Sequence, residues 1–526
     1  MRKVVFVAAV ALLLTTICFV SIGDCQQKAS PQYGGILRRI VPTGPTMFSY
    51  VPAMGPMDHV AVFPAAERLL DNSSERRKGS GLEPVLAEKV VEDPKGLKIT
   101  WFIRKGIKFH DGTDLDAEVV RWNFQQIIDA KSLPYMKFMK DMKVVDKYTL
   151  VMNLTEYSNQ LAPSWGWWPV ITSKAAWDKA SGGDLEKGKD WARANIVGTG
   201  PFMLKEYKRD DHITWVKNPN YWRKGKPYLD GIVMKIIPEP AVARQLIEAK
   251  EADVWLAPQP RDQVELMKRG FKRQSSWPAI GMCMWINTAN SKSKWQDKRM
   301  REALEYAIDK DAIAKALGSG LYRPLKSLPP ADEWGYDPNY DPRPYNSKKA
   351  KQLLAEAGYP NGVKIKLLLL FTQENRDAAT ALKQYLDEAG FQVEIDAADP
   401  GRFFGTIYNN PPGPDADLAW WMCSGSAPNF LQSYMRWFST SPLTVLSYLA
   451  HPAEQAKLDA EAQKLKSPKD QQAVTKKLMR QITDNAMVVP VFSIPGAAIQ
   501  QPWVHSTEFE QGLNRWQTEE VWMEKH

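Results

Sequence analysis

Apolar residues follow three rhythms along the chain. The first is a continuous run, "VVFVAAVALLLTTICFVSI" (4–22), which follows Arg2 and Lys3 and ends in the helix-breaking "GDCQQKASPQYGG". A basic start, an apolar middle and a polar exit make 1–25 an export signal. An uncleaved anchor is the alternative, because the run nearly spans a bilayer. The second rhythm is alternation. "LKITWFIRKGIKF", "KYTLVMNL", "GPFMLKEY", "HITWVKN" and "GIVMKII" place apolar residues at every other position between turn signals, so strands dominate up to about residue 235. The one clear helix there, "AEVVRWNFQQII", starts behind Asp114 or Asp116 as its cap.

From about residue 296 the rhythm becomes helical. Asp297 caps a helix with Met300, Leu304, Ala307 and Ile308 on one face, and Gly318 ends the next. Ser347 starts a helix with Ala350, Leu353, Leu354 and Ala357 inward and Gly358 as its stop, and "VKIKLLLLF" is then a buried strand. Ala378, Leu382, Tyr385, Leu386 and Ala389 form a second stripe, Gly390 ends it, and "FQVEI" alternates again. Strand, helix and strand in that order imply a right-handed crossover and a parallel pair. The fold class is therefore α/β, with two regions of different character and turn-rich joints near 328–346 and 409–416. A ligand cleft is expected where domains meet.

Length and composition narrow this picture. A chain of 526 residues is too long for one core, so two or three domains are expected. With 44% apolar and 25% charged residues it is neither disordered nor a multi-span membrane protein. The net charge of +9 is mild and the basic residues are interspersed with acids, which argues against a nucleic-acid track.

Catalytic chemistry is thinly represented. No nucleophile elbow, zinc-binding His pair, phosphate-binding loop or paired CxxC occurs, and the six histidines lack ligand spacing. His110 in "FHDGTD" sits in a tight Asp-Gly turn, where a structural role is the default and a catalytic base the alternative. An exported glycan hydrolase would need a facing pair of carboxylates, and no pair is singled out. Cys283 and Cys423 read as two buried thiols, although export would permit a disulfide. Aromatic residues are abundant. The 20 tryptophans cluster in "SWGWWPV", "MCMWIN" and "DLAWWMCSGSAPNF". Indole faces bind flat or apolar solutes, while large aromatics equally fill cores and interdomain joints.

Several segments together resemble the extracytoplasmic solute-binding proteins of family 5, the dipeptide, oligopeptide and nickel class that serves ABC importers. They are "LEPVLAEKVVEDPKGLKITWFIRKGIKFHDGTDLDAEVVRWNF", "VGTGPFMLKEYKRDDHITWVKNPNYWRKGKPYLDGIVMKIIPEP", "INTANSKSKWQDKRMREALEYAIDKDAIAKAL", "YNSKKAKQLLAEAGYPNG" and "DNAMVVPVFS". They follow the family's order across nearly the whole chain after the signal. The resemblance implies a two-lobed periplasmic-binding-protein-like fold of class II type, with three domains, a hinge and an interlobe cleft. It implies domain I over 26–75, 196–282 and 486–526, domain II over 76–195 and domain III over 283–485. It also implies a non-enzymatic protein without cofactor or metal, monomeric, which hands a small solute to ABC permease and ATPase subunits of the inner membrane. The place of work would be the periplasm or the outer face of the cytoplasmic membrane; Cys25 stands where a lipoprotein cysteine would, but Asp24 precedes it where that processing signal has a small residue.

The family's site pattern is a strand ending in Trp, two further residues, an acid that clamps a peptide's amino end, and a second acid before Pro. Here Trp421 holds the tryptophan position, Ser424 stands where the clamp acid would be, and Ala427 precedes Pro428 where the second would be. Both changes remove negative charge, and a buried ammonium without a partner is costly. The expected ligand is thus neutral or anionic: a saccharide, an aromatic compound, or an oligopeptide held by a different clamp. The expected wall is Trp420, Trp421, Cys423 and Ser424 with Cys283, Trp285 and Phe403, opposed by Trp167 and Trp168.

Overall fold

The alternating and helical segments assemble into two lobes, each built on one mixed sheet. The computed structural model describes residues 30–72, 82–275, 279–331, 333–408, 417–425, 429–440, 444, 446, 448–451, 453–506 and 517–525. The export signal, Cys25 and Ala427 lie outside them. Among the described residues no helix is long and apolar enough to cross a membrane.

The first lobe carries a seven-stranded sheet in the order Lys272–Ser275, Ala497–Gln500, Val254–Leu256, Ile36–Val41, Gly231–Ile236, His212–Lys217, Phe202–Lys208. Beside it lies a four-stranded antiparallel sheet from Ala87–Asp93, Lys98–Ile103, Thr149–Leu154 and Met139–Asp146. Alternation does here what period two predicts: Ile99, Trp101 and Ile103 point into the core and their neighbours outward. The strands expected between 144 and 235 thus divide between two sheets. Helix Ala117–Asp129 starts at Asp116, whose carboxylate accepts from Val119 N, while Asp114 pairs instead with Lys108 and Lys147.

The second lobe carries a six-stranded sheet in the order Arg323–Pro324, Val488–Ile494, Ile280–Ile286, Leu418–Met422, Val363–Leu370, Phe391–Ala398. The strand–helix–strand unit is present as expected: Val363–Leu370 and Phe391–Ala398 are parallel and joined by helix Gln373–Glu388. Gly358 (φ +96°) and Gly390 (φ +102°) end their helices in the left-handed region. Gly318 differs. It is the last helical residue, and Ser319 takes the left-handed cap (φ 48°). Apolar clusters pack on both faces of this sheet, one including Trp420 and Phe492, the other Trp285, Phe403 and Trp437.

The chain passes between the two sheets twice, at 275–280 and at 494–497. Ser275 is the register partner of Ala497 in one sheet, and Ile280 that of Ile494 in the other, so the points where the chain leaves one sheet and enters the other are paired in both.

Candidate functional site

The run "DLAWWMCSGSAPNF" begins with the strand Leu418–Met422, antiparallel to Ile280–Ile286 and parallel to Val363–Leu370. Successive side chains of a strand point to opposite faces, so the two tryptophans part. Trp420, fully buried, packs on Phe492 (ring centroids 5.5 Å), whereas half-buried Trp421 lies against Phe403 (5.2 Å) and Phe404 (5.3 Å). Asp417, which opens the run, is engaged at the other end of the strand by Lys294 (2.9 Å) and by Trp295 Nε1 (3.0 Å).

Most of the expected wall lies behind a surface rather than on one. Trp285 and Phe403 are buried, and Trp285 stacks on Phe438 (4.8 Å) while donating to Met422 O (3.3 Å). Cys283 and Cys423, read from sequence as two free thiols, form a disulfide with a Cα–Cα distance of 6.0 Å. The pairing arises because adjacent strands bring residues 140 apart in sequence to neighbouring positions. Ser424 is fully buried; its hydroxyl accepts from Gly281 N (2.7 Å) and donates to Ala279 O (3.3 Å). On the first lobe, Trp167 ends helix Leu161–Trp167, buried beneath the Arg68 guanidinium (5.0 Å), and half-buried Trp168 packs on the His59 ring (4.6 Å).

The lobes meet where the 161–167 helix approaches helix Phe430–Trp437. Gln432 Nε2 donates to Ser164 Oγ (3.0 Å), and Asn159 donates from Nδ2 to Ala462 O (2.9 Å) and Leu465 O (2.7 Å) and from its backbone N to Gln463 O (2.8 Å). A cleft of about 440 Å³ borders this contact, lined by Tyr157, Gln160 and Pro163 on one lobe and Trp334, Asn429 and Lys466 on the other.

Several enclosed polar atoms around this contact have no hydrogen-bond partner among the described residues. They are Gln160 Oε1, Trp165 Nε1 and Trp167 Nε1 on the first lobe, and Trp421 Nε1, Gln432 Oε1, Ser433 Oγ, Arg436 Nε and Trp437 Nε1 on the second. Buried polar groups in folded proteins are ordinarily paired, so such a concentration marks a place built to meet something else. Sequence reasoning passed over Arg436, Gln432, Ser164 and Asn159. The available signal was "FLQSYMRWF", an apolar helix carrying a single charge.

Groups suited to catalysis are otherwise engaged. Gly198 N donates to His110 Nδ1 (3.4 Å), which leaves Nε2–H to donate to Gly200 O (3.0 Å), so no lone pair is free to act as a base. Glu67 accepts from Thr199 (2.9 Å), Tyr221 (2.8 Å) and Trp222 (2.8 Å); burial raises its pKa to about 7 against the pull of Arg223. The cavity beside it, about 30 Å³, has room for a water and not for a sugar. No group of three or more His, Cys, Asp or Glu suited to a metal occurs among the described residues.

Comparison with known proteins agrees with this architecture. The chain is 32% identical over 321 residues to heme-binding protein A of Haemophilus influenzae, covering 57% of this chain and 58% of that protein. It is 29% identical over 334 residues to the glutathione-binding protein GsiB of Escherichia coli K12, covering 61% and 62%. The chain thus spans about three fifths of the length of the curated relatives it matches. The periplasmic binding protein DppA of Helicobacter pylori, solved with the peptide STSA, has the same fold: TM-score 0.79 at 22% identity, covering 94% of this chain and 99% of that one. Residues 81–444 match the model of the bacterial extracellular solute-binding proteins, family 5, middle region, and the chain belongs to that family.

Proposed function

We propose that the chain is the extracytoplasmic substrate-binding component of an ABC importer, which captures a small organic solute between its lobes and delivers it to a membrane permease and its ATPase, with no bond made or broken. The observation that carries this reading is the interlobe contact, where Gln432 meets Ser164 and the surrounding indole, amide and guanidinium groups lack partners among the described residues. Closure of the two lobes by hinge motion would enclose a solute there. The relatives named for heme and glutathione support an organic solute of similar scale.

The proposed wall is Trp421 with Phe403 and Phe404 behind it, opposed by Trp167 and Trp168. Trp420, Trp285, Cys283, Cys423 and Ser424 form the layer that holds it in place. Ser424, where peptide-binding relatives would place an acid, leaves the site without an anionic clamp, so the solute is neutral or anionic. A saccharide or an aromatic compound fits this better than a peptide with a free amino end. The proposed domains keep the expected limits at 75/76 and 195/196, and for domain III we propose 280 and 494 in place of 283 and 485, because the strands that change sheet are register partners there.

A thermal-shift screen over peptides, oligosaccharides and aromatic acids tests the reading, since a ligand that binds the folded form raises its apparent stability. Largest shifts from di- and tripeptides with free amino ends would overturn the unclamped site. A complete absence of shifts, with glycan hydrolysis instead, would overturn the transport role.

A further inference from the structure

Arg436 stands out among the charged side chains of the second lobe. It lies on the 430–437 helix, one turn beyond Gln432, and its guanidinium carbon sits 5.1 Å from the Trp437 ring centroid. Nε is sealed from solvent without a hydrogen-bond partner, and no acid forms an ion pair with the side chain among the described residues. The ionisable groups that act on it are the phenols of Tyr408 and Tyr135, while burial pushes its pKa down. These two tyrosines come from opposite lobes. Tyr135 packs edge-on to Trp165 (5.4 Å) and donates to Ser164 O (3.4 Å); Tyr408, exposed, stacks on Phe404 (5.6 Å), which in turn meets Trp421 (5.3 Å).

Arg436 is half-buried, and enclosing even the Nε side of a guanidinium without an anion costs stability. Structural arginines in such places are paired, and the cation here instead lies on the helix that meets the opposite lobe, together with a set of unpartnered groups that are mostly N–H donors. Donors in excess, one fixed positive charge and aromatic faces on either side select an acceptor-rich anion with a flat body. Nε–H and a neighbouring Nη–H lie parallel in a guanidinium and match the two oxygens of a carboxylate.

The geometry points to Arg436 as the anchor for a carboxylate on the transported solute, which makes that solute a planar, aromatic or conjugated carboxylic acid. This rests on the solute-binding reading above and sharpens it from neutral or anionic to anionic. The sense of recognition is then the reverse of an acid clamping an ammonium: the fixed charge is positive and sits on the helix following the strand.

The test uses the full chain after the signal, as wild type and as Arg436→Gln, Arg436→Lys and Arg436→Met. Calorimetric titration compares indole-3-acetate and 4-hydroxycinnamate with their primary amides. The expected result is a preference for acid over amide of about tenfold or more, as for a charge-assisted bond, lost in Arg436→Gln and partly kept in Arg436→Lys. Equal affinity of acid and amide for the wild type, or an acid affinity unchanged in Arg436→Gln, overturns the anchor. Binding of saccharides or peptides while neither acid binds overturns it too and leaves the transport role standing; failure of every solute class defeats both. A second readout needs no ligand. Arg436→Met should raise the unfolding midpoint of the ligand-free protein by a few degrees, because an unpaired cation is replaced by an apolar chain of similar reach. A fall of that size would mean the guanidinium has a structural partner and would overturn the assignment.

Discussion

Arg343 and Arg436 belong to the same lobe and are held in opposite ways, the first buried and the second half-buried. Arg343 donates from Nε to Glu305 (2.5 Å) and from Nη2 to Thr483 O, and Glu305 is fully buried beside Lys310. Arg436 has a tryptophan ring and two phenols around it and no carboxylate among the described residues. The first set pairs its charges within the lobe; the second has a charge without an acid beside it, on the helix that meets the other lobe. The contrast teaches that buried charge alone does not mark a site. What marks it is charge whose complement is missing among the described residues.

Breaking the closed set should give the largest effect. Glu305→Ala leaves Arg343 and Lys310 without their shared anion, and removing one partner of a buried pair costs about 3–5 kcal/mol, measurable by denaturant unfolding. A loss below about 1 kcal/mol would place Arg343 in the same class as Arg436. Glu67 supplies the next test. Its folded-state pKa of about 7, against an ordinary value of 4.5, means the native state holds a proton that the unfolded chain has released. That stabilisation is complete below pH 4.5 and is lost as pH rises through 7, a nominal change of about 3 kcal/mol, and Glu67→Gln should flatten the pH profile over this window. Arg223 and Glu519, which also act on Glu67, are left unchanged in that comparison.

Smaller effects sharpen the contrast. Ser424→Ala removes the acceptor for the buried Gly281 N and should cost about 1–2 kcal/mol of stability without changing ligand affinity more than twofold. A larger change in affinity would show Ser424 to be a ligand contact after all. Gln432→Ala removes the bond to Ser164 between lobes and should cost less than about 1 kcal/mol, while small-angle scattering of the ligand-free protein shifts toward a more open form. An unchanged scattering profile would mean that this bond does not hold the lobes together.

The fold was largely legible because its rhythms are local. The parallel pair at 363–398, the turn at His110 and the stops at Gly358 and Gly390 each follow from spacing within a dozen residues. The site was less legible because it depends on which way a side chain points and what lies opposite. Adjacent Trp420 and Trp421 look equivalent in sequence, yet the pleat sends one into the core against Phe492 and the other toward Phe403 and Phe404. Cys283 and Cys423 are neighbours only through strand pairing. Arg436 sits in a helix of eight residues, too short for one charge to disturb its apolar pattern, and its lack of a partner is a property of the assembled lobes.

The paired crossing points have a consequence for engineering. Ser275 faces Ala497 in one sheet and Ile280 faces Ile494 in the other, so each lobe has its two cut ends one strand spacing apart. Residues 280–494 are thus connected as an insertion between paired strands of the other lobe. A two-residue hairpin across 275 and 497 would close the sheet of that lobe, and a related insertion grafted at the same points would exchange the guanidinium-bearing half of the cleft while the tryptophan helix of the first lobe stayed covalently untouched.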